Sequence, residues 1–188
     1  GKFEFTFMVP KDIRYNYGEG RIVYYACDAS SREEAIGYYD DFIVGGSSSV
    51  EIVDTIGPDI HMYLNNPAFV DGDKTYEFPH FFAEVYDQNG INTVGSGIGH
   101  DLLLTVDDDP KYTYVLNDYF MAQNNSYQQG MVSFKMPELP EGNHTLMFRA
   151  WDLLNNSSTA KLNFEVLKGL APSIYEVLVY PNPVSRNG

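Results

Sequence analysis

The strongest constraint on the fold is an alternation of apolar and polar residues with a period of two. It is clearest in two segments separated by the turn "LLNNSS", whose apolar positions are Leu146, Phe148 and Ala150, then Leu162, Phe164 and Val166. A period of two places such side chains on one face of a sheet and the polar ones on the other. These segments therefore predict neighbouring strands with one buried face.

Similar short segments recur along the chain, and no window keeps a helical period for three turns. They read "DIHMYLN", "PHFFAEVYD", "HDLLLTVD", "MVSFKMP", "NHTLMFRAWD" and "AKLNFEV". Strands at this spacing, with turn residues between them, are typical of an all-β sandwich of the immunoglobulin type. In the first segment the alternation predicts that Ile60, Met62 and Leu64 are core, while His61 and Tyr63 lie outside.

A Gly- and Ser-rich run, "GGSSSVEIVDTIGP", indicates a joint between two parts of the chain. The sequence predicts closing strands of a preceding β domain over residues 1–46, a linker over 47–56 and an immunoglobulin-like β-sandwich over 57–168. Residues 169–188 read as the start of a truncated carboxy-terminal β module. Within the first part, Ser31 and Glu34 stand at capping-box spacing and predict one helical turn, which Gly37 limits.

The charge balance excludes several kinds of partner. The chain has 26 acidic and 12 basic residues, a net charge of −14, and this field repels nucleic acid and anionic lipid surfaces. The sequence lacks an apolar run of about 18 residues, so we expect no direct membrane insertion. Cys27 is the only cysteine, which rules out an internal disulfide.

An ordered series of motifs resembles a known family. The series runs "VPKDIRYNYGEGRIVYYA", "GYYDDFIVGG", "GPDIHMYLN", "DQNGINTVGSGIGHD", "VLNDYF", "SYQQG", "EGNHTL", "AWDLLNNSS" and "YPNP". It is similar to the carboxy-terminal, non-catalytic β region of type IX secretion sortases, surface cysteine peptidases of the gingipain family that remove sorting domains from secreted cargo. The positions that carry this signature are Asp87, Gly90, Gly99, His100, Asp101, Asn117, Asp118, Trp151 and Asp152.

The resemblance implies a location and partners. It places the chain at the cell surface, in the outer membrane or outside a Gram-negative bacterium. The implied partners are an upstream peptidase domain and a carboxy-terminal module of the same parent chain, with secretion-system proteins or cargo as further candidates. The family's catalytic His and Cys lie in the larger amino-terminal domain, and no position here matches their motifs, so no catalytic residue is carried over.

Two candidate sites do not meet the requirements of their chemistry. The glycines at 95, 97 and 99 are followed by the strand "HDLLLTVD", whereas a phosphate-binding loop opens a helix. His100 and Asp101 are adjacent in a predicted strand and point to opposite faces. Both motifs favour roles as loop structure.

The remaining candidates are a thiol, a metal site and an aromatic surface. Cys27 is predicted to be a strand cysteine, apart from the histidines that a nucleophile needs. We expect no cofactor, although Asp107, Asp108 and Asp109 are weak candidates for a structural calcium ion and lack the D-x-D-x-D-G spacing. Trp151 and the tyrosines are compatible with a sugar-stacking surface, but most aromatic residues alternate with core positions.

The sequence thus leaves two functions of different classes. The first is a non-catalytic accessory or spacer module of a surface peptidase. The second is a protein- or carbohydrate-binding surface module. An independent hydrolase lacks the machinery.

Overall fold

The computed structural model describes residues 4, 6–11, 17–28, 33–46, 52–94 and 99–170. Parts of several sequence-based predictions fall outside these ranges: residues 1–3, 5, 12–16 and 29–32 of the first part, residues 47–51 of the Gly/Ser-rich joint, the glycine loop at 95–98 and the terminal segment 171–188. Among the described residues, no helix has the length and apolar character needed to cross a membrane.

The strands before the sandwich are short or exposed. They are β1 (Gly18–Glu19), β2 (Ile22–Asp28), β3 (Glu33–Tyr39) and β4 (Ile43–Val44). β1 pairs with β4, and β2 pairs with β3 in an antiparallel two-stranded ribbon. The predicted helical turn is wrong, since the residues from Glu33 onward form β3. Ile36, Tyr38 and Tyr39 favour a strand, and pairing with β2 outweighs the weak capping signal.

Nine further strands build two sheets. Their bounds are β5 (Asp59–Leu64), β6 (Lys74–Thr75), β7 (His80–Tyr86), β8 (Leu103–Val106), β9 (Thr113–Val115), β10 (Phe120–Ala122), β11 (Gln129–Lys135), β12 (Gly142–Trp151) and β13 (Ser157–Val166). One sheet has the order β10-β11-β7-β5 and the other β6-β13-β12-β8-β9. Two 3₁₀ turns, Pro110–Tyr112 and Asn117–Tyr119, flank β9. The predicted all-β sandwich is confirmed.

The core lies between the two sheets, where the alternation predicted it. Positions 146, 148 and 150 on β12 are fully buried, and positions 162, 164 and 166 on β13 are buried as well. The ring of Phe148 meets the ring of Phe81 from the opposite sheet at 5.5 Å between centroids. Because both sheets contribute to one buried cluster, the predicted faces are correct.

One outward residue departs from the prediction. Tyr63 lies on the outer face of β5, yet only 5% of it is exposed. Its ring stacks on Phe82 at 5.3 Å, and its hydroxyl approaches Glu84 at 3.4 Å. Neighbours on the same face of the sheet therefore cover this side chain, although the alternation assigns it to solvent.

Candidate functional site

The candidate site lies at the end of the sandwich where β12 turns back into β13. Asp152 stands at the start of this turn and is fully buried. Its Oδ1 accepts hydrogen bonds from the backbone N–H of Leu154 at 2.9 Å and of Asn156 at 2.7 Å, while Oδ2 accepts from Asn156 Nδ2 at 2.7 Å. A carboxylate that satisfies several turn donors fixes the turn, because buried N–H groups need partners.

A second turn, after β7, packs against the first. Oδ1 of Asp87 accepts from the N–H groups of Asn89 at 2.7 Å and Gly90 at 3.1 Å. Gly90 has φ of 105°, and a Cβ there would lie 2.6 Å from Tyr127 and 2.9 Å from Leu153. This position needs glycine for both backbone conformation and space.

Backbone hydrogen bonds join the two turns directly. The N–H of Leu153 donates to the carbonyl of Gly90 at 3.0 Å, and the N–H of Asn92 donates to the carbonyl of Trp151 at 2.8 Å. Ile91 and Asp152 form a bridge between the turns. Three signature residues, Asp87, Gly90 and Asp152, are therefore brought together although they are far apart in the sequence.

A third acidic residue reaches the same place from the segment before the sandwich. The Nδ2 of Asn89 donates to Oδ2 of Asp54, and the Nδ2 of Asn156 donates to the Asp54 carbonyl at 3.3 Å. As a result, carboxylate oxygens of Asp54, Asp87 and Asp152 all lie within 4.8 Å of one another. Among the described residues this is the group whose acidic side chains converge closely enough to hold a cation.

The surroundings of Asp87 shift the pKa of its carboxyl group. Burial raises the pKa of its carboxyl above the ordinary value, and the neighbouring charges of Asp152 and Asp54 raise it further. The hydrogen bonds from Asn89 and Gly90 oppose the shift by stabilising the ionised form. The three carboxylates therefore repel one another when they are ionised, and a bound proton or cation would reduce this repulsion.

A pocket of about 340 Å³ adjoins the cluster. Its walls come from two segments and combine acidic with apolar side chains: Ile52, Val53, Asp54, Ile56, Gly57, Asp59, Tyr86, Asp87, Gln88 and Asn89. Its volume lies at the lower end of the range for small-molecule sites, which usually combine an apolar lining with a few convergent polar groups.

Among the other signature residues, Asn117 joins the two segments that flank residues 95–98. Oδ1 of Asn117 accepts from the N–H of Leu102 at 3.0 Å, and its Nδ2 donates to the carbonyl of Thr93 at 3.1 Å. The His100 ring lies 4.4 Å from the Trp151 ring. Gly99 has φ of 90°. Asp101 is half-buried and Asp118 is exposed.

The three consecutive aspartates lie elsewhere and have separate partners. Asp107 Oδ2 lies 2.7 Å from His144 Nδ1, and Asp107 Oδ1 accepts from the N–H of Thr145 at 2.8 Å. Asp109 accepts from the N–H of Lys111 and caps a 3₁₀ turn, while Asp108 is an exposed turn residue with φ of 55°. The acidic group that converges contains Asp54, Asp87 and Asp152 and none of these three.

His144 has an acceptor at both ring nitrogens. Opposite the Asp107 carboxylate, Nε2 lies 2.8 Å from the carbonyl of Pro140, and the ring is buried. The ring is therefore held on both sides, by a carboxylate at Nδ1 and by a backbone carbonyl at Nε2. This pair ties the β8 end to the start of β12.

The thiol and the remaining histidines are placed in different parts of the fold. Cys27 is exposed on β2 of the ribbon. His61 and His80 belong to the four-stranded sheet, and His144 belongs to β12.

Sequence reasoning missed the contributions of Asp54, Asn89 and Asn156. The available signal was an excess of Asp and Asn in turns, which favours local hydrogen bonds but does not identify partners. The bond between Asn156 and Asp54 joins residues 102 positions apart, and no local pattern encodes such a distance.

Comparison with known proteins shows a clear relative among the solved structures. No protein family and no curated protein matched the chain. Among solved structures, the crystal structure of dimeric latent PorU from Porphyromonas gingivalis shares 39% identity over 95% of this chain, with a TM-score of 0.64. This is a PorU-like region, as the sequence resemblance predicted, and it spans 17% of the PorU chain. The link to gingipains stays a prediction.

Two further structures are distant. The endo-β-1,4-mannanase from Thermotoga petrophila has 14% identity, a TM-score of 0.37 and coverage of 58% of this chain and 20% of its own. CopC from Methylosinus trichosporium OB3b has 15% identity, a TM-score of 0.33 and coverage of 63% of this chain and 100% of its own.

Proposed function

We propose that this chain is a non-catalytic accessory module of a larger type IX secretion sortase-like protein, a surface cysteine peptidase of the gingipain family. The observation that carries the proposal is the 39% identity to PorU over 95% of this chain, combined with coverage of only 17% of the PorU chain. The module corresponds to a carboxy-terminal part of the parent protein. Its work is to hold neighbouring parts of the same polypeptide in position at the surface of a Gram-negative cell.

The proposed organisation follows the predicted boundaries. Residues 1–46 close a preceding β domain, 57–168 form an immunoglobulin-like sandwich and 169–188 begin a carboxy-terminal module. The hydrogen-bonded end of the sandwich supports a spacer role. Asp54, just before the sandwich, hydrogen-bonds to Asn89 and Asn156, which attaches this part of the predicted linker to the sandwich.

The placement of Cys27 and three of the histidines on strands of different sheets supports the non-catalytic interpretation. A Cys–His couple needs the thiol and the imidazole within hydrogen-bond reach. Cys27 lies on the exposed ribbon, whereas His61, His80 and His144 lie on strands of the sandwich. A thiol in such a position would need another part of the parent protein to activate it.

The alternative is a surface module that binds protein or carbohydrate. A glycan platform needs aromatic rings with free faces. On the outer face of the sandwich, however, the rings of His80 and Phe82 stack at 4.5 Å and those of Phe82 and Tyr63 at 5.3 Å. These rings cover each other's faces, which favours the spacer over a sugar-binding role for this surface.

A peptidase assay tests the proposal. The 188-residue chain is incubated with peptides that span the junction before a type IX sorting domain, beside the longer parent polypeptide. We expect turnover from the parent only. The Cys27→Ala change in the parent should leave turnover unchanged. Turnover by the 188-residue chain that is lost on Cys27→Ala would overturn the proposal, and specific glycan binding at micromolar concentration would favour the alternative.

A further inference from the structure

The pocket beside the Asp87 turn has a wall of exposed apolar side chains. Ile52, Val53 and Ile56 come from the segment before β5, and Tyr86 is the last residue of β7. Their exposed fractions are 49%, 82%, 73% and 46% respectively. Apolar side chains gathered around one pocket mark an interaction site, whereas single exposed ones need no explanation. The pocket therefore presents an apolar surface that a ligand can cover.

The same pocket is lined by three carboxyl groups. Asp59 is exposed at the start of β5 and lies opposite Tyr86 in the register of β5 and β7, and Asp54 and Asp87 complete the set. The ion pairs found between described residues involve none of these three. The chain as a whole carries −14, so its remaining charges do not offset them. The pocket is therefore complementary to a positive charge.

The apolar wall decides which kind of cation fits the pocket. A metal ion binds through oxygen ligands and gains nothing from apolar side chains. A Lys or Arg side chain uses both surfaces, because its charged head pairs with carboxylates while its aliphatic stem packs on apolar groups. Tyr86 also supplies an aromatic ring, a group that organic cations contact favourably. The combination favours a basic side chain with apolar neighbours.

We propose that the pocket binds a basic segment of a partner protein, a short stretch in which Lys or Arg is flanked by apolar residues. The volume of about 340 Å³ accommodates a few side chains and not a folded domain. The segment's basic side chain faces Asp54, Asp59 and Asp87, and its apolar residues cover Val53 and the neighbouring wall. This site adds a binding activity to the proposed spacer role.

Charge disfavours the other occupants of such a pocket. Nucleic acid and acidic sugars carry the same sign as its carboxylates and are repelled. A second copy of the chain also carries −14, so contact between two copies brings like charges together, which is costly at an interface. A partner segment with a net positive charge gains from the same field.

A nuclear magnetic resonance titration tests the proposal. The peptide Ala-Val-Arg-Val-Ala, with both ends blocked, is added to the isotope-labelled 188-residue chain while the backbone amide signals are followed. We expect the largest shifts among residues 52–59 and 86–89, and no shift among residues 113–115 of β9. A peptide with citrulline in place of Arg has nearly the same shape without the charge. It should bind roughly tenfold more weakly, because hydrogen bonds to charged groups are the stronger ones.

Matched substitutions separate the pocket from the general acidity of the surface. Asp59→Asn should weaken binding of the Arg peptide by roughly threefold, whereas Asp118→Asn, at an exposed position outside the pocket, should not change it. Val53→Ser removes part of the apolar wall and should also weaken binding by roughly threefold. Its control is Val115→Ser, where an exposed valine belongs to β9. All four changes are at exposed positions, and unchanged signals from the core confirm that each variant is folded.

Four results would overturn the proposal. Equal affinities of the Arg and citrulline peptides would show that charge is not recognised. Equal effects of Asp59→Asn and Asp118→Asn would show attraction to the whole acidic surface. Calcium chloride that shifts the same amides and displaces the peptide would assign the pocket to a metal ion. Shifts at residues 52–59 that grow with protein concentration alone would assign it to a second copy. The peptidase assay enters none of these results, so this proposal and the proposed function can fail separately.

Discussion

The sandwich and the β2–β3 ribbon are both built from β-strands but reach opposite ends of the burial scale. In the sandwich, Phe148 and Leu146 are fully buried because a second sheet covers their face. In the ribbon, the apolar side chain of Ile36 is 77% exposed. A strand provides an apolar face, and the side chains on that face are buried only when a second layer of matching shape packs against them.

The largest test of this contrast is to remove a large side chain from each region. Phe148→Ala leaves a cavity beside Phe81, and such changes cost about 3–5 kcal/mol of unfolding free energy. Ile36→Ala in the 188-residue chain removes an exposed side chain and should change it by less than about 0.5 kcal/mol. Urea denaturation followed by tryptophan fluorescence measures both. Equal losses would mean that the side chain of Ile36 is covered in this chain.

The next test concerns the end of the sandwich where Asp152 accepts hydrogen bonds from the turn between β12 and β13. Asp152→Ala leaves the part-buried N–H groups of Leu154 and Asn156 without their acceptor, and we expect a total loss of about 1–3 kcal/mol of unfolding free energy. Asp118→Ala, at an exposed signature position, should cost less than about 0.5 kcal/mol. Chemical denaturation of both variants gives the comparison. A small loss for Asp152→Ala would show that water replaces the carboxylate.

Two histidine–carboxylate pairs, one with a buried ring and one exposed, test how burial changes the contribution of such a pair to stability. The buried His144 lies 2.7 Å from Asp107, whereas His61 lies 3.8 Å from Glu84 with both side chains exposed. His144→Ala should cost about 1–3 kcal/mol because it removes a buried ring together with its hydrogen bonds to Asp107 and Pro140. His61→Ala should cost less than about 1 kcal/mol. Thermal unfolding at one fixed pH ranks them, and the reverse order would contradict the proposed pairing.

The smallest expected effect is a pH dependence from Asp87. The pKa of this carboxyl is raised in the folded protein above its ordinary value of 3.8, so the unfolded state releases the proton first. Its contribution to stability is therefore complete below that value and is lost as pH rises through the raised pKa. Asp87→Asn should reduce this loss of stability with rising pH. The free energy of unfolding of both proteins is measured by denaturation between pH 3 and 7 with a chelator present. If the free energy of unfolding of both proteins changes with pH in the same way, Asp87 is not the source of the pH dependence.

Sequence reasoning recovered the strands that carry strong alternation, such as β7, β12 and β13, together with their core faces. It did not find β6, β9 and β10, which have two or three residues each and show no pattern of their own. β6 exists because it pairs in parallel with the end of β13, and β10 exists because β11 offers an edge. Pairing with a distant strand, not local preference, creates these elements.

For the candidate site, the sequence by itself determined the turn chemistry: Asp87 with Gly90, and Asp152 before "LLNN", are residues that bond their own backbone locally. Only the tertiary structure decided that Asp54 joins these two turns and that Asp107 pairs with His144. It also decided that the apolar side chains of the sandwich are buried while those of the β2–β3 ribbon are exposed. The physical reason is range. Side-chain periodicity and turn bonds act over a few residues, whereas contacts between carboxylates and the covering of a sheet face depend on how distant segments pack.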